Sequence, residues 1–271
     1  MSSVRAAPRV GSADRLAEFV RGTFVVVEAE LRKLAHDPAE LLTRAVQPIL
    51  WLVVFGGVFA RVRGIPTGSV GYREFLTPGI LAQSGLFIAI FYGIAIIWER
   101  DLGVLHKYLV SPAPRGALVL GKALSAGLRG LSQAVMVYLI ALLLGVRLRV
   151  GWDTALGVPV FVTLGAAVFA TFSLLVACLV KTRERLMGIG QLVTMPLFFA
   201  SNAIYPLELM PAWLRALSSI NPLTYQVDAL RALMLPGGSP QFGLGVDLAV
   251  QVAALSLLAT VAARLYPRVA V

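Results

Sequence analysis

Few residues in this chain have the types and spacing of a reactive site. Gly116-Ala117-Leu118-Val119-Leu120-Gly121-Lys122 keeps the G-x4-G-K spacing of a phosphate loop, in which backbone N–H groups cradle phosphates and the lysine reaches the outer ones. Ala123 stands where a Ser or Thr hydroxyl would hold magnesium. No strand pattern precedes it and a long apolar run follows, so it reads as the start of a membrane helix carrying a snorkelling lysine. His36 and His106 have no second ligand at metal spacing, and no Ser or Cys nucleophile sits near either. The one cysteine, Cys178, lies in an apolar run and excludes an internal disulfide. These residues offer no catalytic centre, no metal site and no cofactor site.

What must be positioned is therefore apolar surface and a few charges. Hydrophobic residues make up 58% of the chain and charged residues 14%, against roughly 25% in soluble domains, and the mean hydropathy is +0.81. The net charge of +10 would suit nucleic acid if it formed a stripe. Here the basic residues bracket apolar spans instead, as in a membrane protein. Arg5 and Arg9 precede no apolar region, and Asp14 and Glu18 follow at once, so the N-terminus does not read as a signal peptide.

The most distinctive stretch is a polar wedge, Glu99 to Lys122, between two apolar runs. Leu102, Leu105 and Leu109 fall at i, i+3 and i+7, one stripe of a helix. Glu99 and Asp101 occupy its first turn, where the helix dipole favours acids, and Ser111-Pro112-Ala113-Pro114 stops it. A short amphipathic helix in a membrane-protein loop has the form of a coupling helix presented to a partner.

Around the wedge the sequence predicts an all-α integral membrane protein with six transmembrane helices. Residues 1–12 read as disordered, and 13–271 as a single domain. Residues 13–36 alternate Leu16, Val20, Phe24, Val27, Leu31 and Leu34 with charges, the pattern of an amphipathic helix on the membrane surface. Asp37-Pro38-Ala39-Glu40 caps the first span, which runs to about Ala60 and bends at Pro48. Thr77-Pro78 repeats the cap-and-proline start for the second, ending at Trp98. The third is about Ala117–Val146, with Lys122 and Arg129 in its first turns turned inward or snorkelling. The fourth is about Thr154–Val180, the fifth Leu186–Ile204 with Pro196 inside, and the sixth Gly243–Ala263.

With the N-terminus in the cytoplasm, 17 of the 24 Lys and Arg residues fall on the cytoplasmic side and 7 on the other, a clear positive-inside distribution. Both termini and the wedge are then cytoplasmic. On the outer side, Tyr205-Pro206-Leu207 to Pro211-Ala212-Trp213-Leu214, followed by Asn221-Pro222-Leu223-Thr224-Tyr225 and Arg231, carries two short helical patterns, each begun by a proline. Neither is long enough to cross and both are apolar, which fits a re-entrant hairpin backed by other helices. Asn221 is the natural cap of its second helix, and Trp213 an anchor at the outer interface.

The wedge matches E-R-x-x-G-x-L-x-x-x-L-V-S-P-x-x-R-x-x-L-x-x-G-K at Glu99, Arg100, Gly103, Leu105, Leu109, Val110, Ser111, Pro112, Arg115, Leu118, Gly121 and Lys122. The hairpin matches a Y-P-L…P-x-W-L…N-P-L-T-Y…R pattern. Together they resemble the permease subunit of type-2 ABC exporters, the group holding daunorubicin-resistance, nodulation-factor and polysaccharide-export permeases. Val104 and His106 stand where that family commonly has Thr and an acid, and Ser201-Asn202 where Ser-Gly is usual.

The resemblance implies an inner-membrane half-transporter that is not an enzyme itself. ATP and magnesium would be bound by a separate cytoplasmic ATPase subunit, present in two copies, beside a second permease copy forming a homodimer or a pair with a homologous permease. The surface helix and the wedge, through Glu99, Arg100, Leu102, Leu105, Leu109 and Arg115, would dock on the ATPase. The hairpin, with Tyr205, Pro206, Pro211, Trp213, Asn221, Pro222, Tyr225 and Arg231, would gate the outer end. Substrate would move along the interface between permeases, and Trp51, Phe55, Phe87, Phe91, Tyr92, Phe198 and Phe199 are the aromatics available to line an apolar path, core packing or lipid contact being the alternative role for each. The expected cargo is a drug or antibiotic, a lipid or a lipid-linked glycan. The rival class, an ion-coupled carrier or channel, would place ionisable groups near the bilayer midplane. Here Arg44, Glu99, Lys122, Arg129 and Asp247 all lie near span ends.

Overall fold

The computed structural model of the protein describes residues 19–25, 27–29, 32, 38–61, 70–102, 115–180 and 182–266. The expected disordered residues 1–12, both histidines and the core of the wedge, including Leu105 and Leu109, lie outside these. Among the described residues all regular structure is helical.

The centre of the bundle is α3 (Tyr72–Asp101) and α5 (Trp152–Leu179), packed along each other. With 30 residues α3 is about 45 Å long. The most apolar windows of these two helices are 79% and 67% buried, against 39% for α4 (Arg115–Leu143) and 17% for α9 (Leu244–Leu265), which are peripheral. These four are long and apolar enough to cross a membrane. The exposed face of α9, with Val246, Leu248, Val252 and Leu257, is apolar, as a lipid-facing surface must be.

Helices also occupy the places of the first and fifth expected spans, but the first is apolar over only its later part and the fifth ends earlier than expected. A continuous helical run is made by α1 (Pro38–Leu50), a π-turn (Trp51–Phe55) and α2 (Gly56–Phe59), whose apolar part is Ala45–Phe59. Pro48, which has no N–H to give, lies inside α1, and the irregular turn begins three residues later. The 17 residues of α6 (Arg183–Phe199) reach about 26 Å, short of the roughly 30 Å hydrocarbon core.

Two expected boundaries are displaced. Thr77-Pro78 does not start the second helix: α3 begins a turn and a half earlier at Tyr72, where the Glu74 carboxylate accepts the N–H of the N-cap Gly71. The Thr77 hydroxyl instead donates to the Arg73 carbonyl at 2.8 Å, and Pro78 sits inside the helix. A cap-and-proline pair one turn into a helix looks the same in sequence as one at its start. The third helix stops at Leu143, before the expected Val146, because Gly145 turns left-handed (φ 74°) and the Val146 N–H returns to the Ala141 carbonyl at 2.9 Å.

Small residues set the close approaches. A Cβ on Gly127 of α4 would lie 2.4 Å from the Thr163 methyl of α5, so the two helices touch nearly backbone to side-chain base, as membrane helices do at small residues. A Cβ on Gly79 of α3 would lie 2.3 Å from the Ala203 carbonyl oxygen, which seats the turn after α6 directly on α3. That turn leads through a 3-10 turn (Leu207–Leu209) into α7 (Ala212–Ile220) and α8 (Pro222–Met234). Helix α8 is buried along its length against α3, α5 and α9. At the opposite end, residues 19–25 and 27–29 are helical, and the Thr23 hydroxyl reaches the Ala117 carbonyl at the start of α4 at 3.5 Å.

Candidate functional site

Expected functional residues gather at the two ends of the bundle, with an aromatic row between. At the end where the chain leaves for residues 103–114, the last turn of α3 carries Glu99, Arg100 and Asp101, with Leu102 as C-cap. Leu102 is 69% exposed, an apolar side chain presented outward where the wedge begins. Glu99 points the other way. It is 8% exposed, and its Oε1 accepts from the Nζ of Lys122, itself 5% exposed, at 2.7 Å. Of the two expected placements for Lys122, inward and snorkelling, the structure has the inward one, with a carboxylate on the neighbouring helix to meet its charge. Asp101 accepts from Arg100 and from Arg183 of α6, both at 2.9 Å, and the Arg183 guanidinium lies 4.0 Å from the centre of the Trp98 ring, a cation–π contact. Arg115 opens α4 and is placed by its backbone only.

Lys122 and Arg183 are the residues that the sequence reading left out of this site. A signal for the first existed. Glu99 and Lys122 are opposite charges terminating adjacent apolar runs, and each is costly to bury without the other.

At the other end the hairpin is fastened by side chains. Asn221 is 3% exposed and caps α8 as expected: its Oδ1 accepts the Leu223 N–H at 3.0 Å. Its Nδ2 donates to the carbonyls of Leu197 at 2.7 Å and Ala200 at 3.3 Å, satisfying the frayed end of α6. Arg215 of α7 donates to the carbonyls of Leu207, Glu208 and Met210, clamping the 3-10 turn. Pro206 and Pro211 are the N-caps of that turn and of α7, and Pro222 opens α8. The Tyr205 hydroxyl donates to the Phe199 carbonyl, and Tyr225 to Ser219 at 2.6 Å. Trp213 is 66% exposed, free for an interfacial contact.

Arg231 of α8 is half-buried. It donates to the Asn202 carbonyl at 2.7 Å and its guanidinium lies 3.8 Å from the Phe75 ring centre. Burial pulls its pKa down to about 10, with Asp228 and Glu208 pulling it back up, so it is a cation at any physiological pH. Asp228 was not foreseen. Its carboxylate accepts the N–H groups of Gln241 at 3.0 Å and Phe242 at 2.9 Å, folding the following loop back on α8. Asp247, in the first turn of α9, is fully buried with no hydrogen-bond partner for either carboxylate oxygen.

Of the seven aromatics considered for a path, four come together. Trp51 stacks on Phe55 at 4.3 Å between ring centres and meets Phe198 edge-on at 5.4 Å, and Phe198 meets Phe199 at 5.5 Å. The row continues through Phe59, Tyr72 and Phe75 at 5.5 to 6.3 Å and ends on Arg231. Phe198 is fully buried, whereas Phe55 and Phe199 are more than two-fifths exposed. Phe87 is half-buried in α3 apart from this row's described ring contacts, and Phe91 and Tyr92 are placed by their backbone only.

The sequence signature of the ABC-2 type transporter family matches residues 21–235, a stretch holding both the wedge and the hairpin. The chain is 30% identical over 217 residues to the transport permease ycf38 of Cyanophora paradoxa, covering 79% of this chain and 74% of that one. It is 26% identical over 255 residues to the daunorubicin resistance ABC transporter permease protein DrrB1 of Streptomyces coeruleorubidus, covering 92% and 87%. With nodulation protein J of Neorhizobium galegae it shares 26% identity over 213 residues, covering 76% and 78%. The chain belongs to the ABC-2 type transporter permease family, whose members are membrane-spanning subunits that work with an ABC ATPase and are not ATPases themselves.

Proposed function

We propose that this permease exports a hydrophobic or amphipathic substrate from the cytoplasm or inner leaflet, driven by a separate ATPase subunit. The observation that carries the reading is the family match across both the wedge and the hairpin, and the relatives named for daunorubicin and doxorubicin resistance support export of a polycyclic drug. In this reading six helices cross the membrane, with α1–α2 and α6 completing their spans through flanking residues. Both termini and residues 103–114 face the cytoplasm. Two permease copies pair with two ATPase subunits, which dock on Leu102, Leu105, Leu109 and the basic residues Arg100 and Arg115. The hairpin closes the outer end, and the two exposed rings of the aromatic row, Phe55 and Phe199, give flat apolar cargo a place to stack, backed by the buried rings of Phe198, Tyr72 and Phe75.

The direct test is co-expression with a partner ABC ATPase, measuring cellular accumulation of candidate drugs and lipids with the active and with a catalytically dead ATPase. Leu105→Asp is expected to leave membrane insertion intact and abolish export. A charge replacing a buried apolar anchor costs several kcal/mol at a packed interface, about 2–4. The ATPase should then fail to co-purify, or hydrolyse ATP without substrate movement; full export by this variant would make residues 103–114 a mere connector.

Topology is tested by impermeant thiol labelling. Gly68→Cys and Ser239→Cys are expected to react in intact cells, and Thr182→Cys only after lysis. The native Cys178 is buried and contributes little background. Labelling at position 182 in intact cells would reverse the orientation.

A further inference from the structure

We infer that Glu99 and Lys122 are a pair of positioning residues: a buried ion-pair latch that ties the end of α3 to the start of α4 and carries a displacement of that end into the bundle. The inference rests on the exporter reading above and changes the role of Glu99 within it, from a contact for the ATPase to a link inside the permease. The two lie 23 positions apart in sequence, one in the last turn of α3 and the other in α4. Their charged atoms meet at 2.7 Å with both residues under a tenth exposed. Two residues further along α3, Asp101 binds Arg183, which also lies over Trp98. The end of α3 is thereby joined to the start of α4 through one pair and to the start of α6 through another.

A buried ion pair is a poor way to gain stability, because desolvation offsets most of the attraction and an apolar pair packs as well. What it supplies is direction. Each charge is tolerably buried only beside an opposite one, so the pair favours one register of the two helix ends. A force on residues 103–114 then moves α3, α4 and α6 together instead of unravelling the last turn of α3. The apolar contacts in the same region, Ile96 with Leu118 and Val119, and Ile97 with Leu186, hold the helices side by side but do not fix that register, since dispersion forces are undirected.

The test is charge reversal in the permease–ATPase complex, reading ATP hydrolysis and export separately. Glu99→Lys and Lys122→Glu singly are expected to lower export at least tenfold, with the ATPase still co-purifying and hydrolysing ATP. The double reversal should recover export to within about threefold of the original. A Glu99→Leu with Lys122→Leu pair should be as heat-stable as the original yet uncoupled, which a merely structural bridge would not give. If a single reversal fails to accumulate, Glu99→Asp serves: its carboxylate is one methylene shorter, and several-fold weaker export at unchanged ATP hydrolysis is expected. Unchanged export in either single reversal or in Glu99→Asp would overturn the latch. So would a double reversal no better than the worse single, which would return Glu99 to contact with the ATPase. Failure of the exporter reading looks different, since the unmodified complex itself would then show no ATP-dependent export.

Discussion

Asn221→Ala combined with Pro222→Ala is expected to open the outer end of the transporter while leaving its assembly intact. The asparagine makes three hydrogen bonds, to Leu223 N–H and to the carbonyls of Leu197 and Ala200. Losing a hydrogen bond costs about 1 kcal/mol, and a buried group left unpaired about 1–3 kcal/mol more. The proline adds a smaller amount, about 0.4–1 kcal/mol, by restricting the unfolded chain. A loss of roughly 3–5 kcal/mol on these figures would fall on the joint between α6 and α8, not on the α3–α5 core. The hairpin should loosen locally, giving leak of a trapped dye from proteoliposomes or loss of export, while the ATPase still co-purifies and the permease keeps its oligomeric size. Normal transport without leak in this variant would reduce the hairpin to scaffold.

The legible parts of this molecule are those in which one local rule decides. The helices are visible because long apolar runs have few alternatives in a membrane, and the proline starts at Pro206, Pro211 and Pro222 because proline tolerates few positions. The Asn221 cap was legible for the same reason, but not its two further bonds to α6, which depend on how a turn 20 residues earlier folds back. The start of α3 was misplaced because Thr77-Pro78 imitates a helix start, and the deciding group, Glu74 beneath Gly71, belongs to a polar turn outside the apolar run.

Charge pairing was the larger omission. Reading each charge against its own span left Lys122 turned inward or snorkelling with no partner assigned, and Glu99 in a partner-facing loop. Only packing of α3 against α4 brings them within 2.7 Å. Nor does periodicity foretell the aromatic row. Trp51, Phe55 and Phe59 share one helix face at four-residue spacing, yet their continuation through Tyr72, Phe75 and Phe198 requires three separate elements to converge.

That row ends on a cation, which makes Arg231 the second position of large expected effect. Arg231→Ala should abolish export, and Arg231→Lys should recover little of it. The guanidinium does two things at once. It donates to the Asn202 carbonyl, holding the turn after α6 to α8, and it lies flat over Phe75. It also supplies the positive charge facing Asp228 and Glu208. Alanine leaves the Asn202 carbonyl without this donor and leaves the two acids without their neighbouring cation. Losing a hydrogen bond made by a charged group costs about 1.5–3 kcal/mol. Lysine restores the charge but not the planar fork, so it cannot donate to the carbonyl and stack on the ring together. Measured on folded protein, Arg231→Lys is expected to keep most of the heat stability and the bound ATPase, with export reduced at least tenfold. Export near the original level in Arg231→Lys would mean that charge alone suffices and that the contact with Phe75 carries no part of the gate.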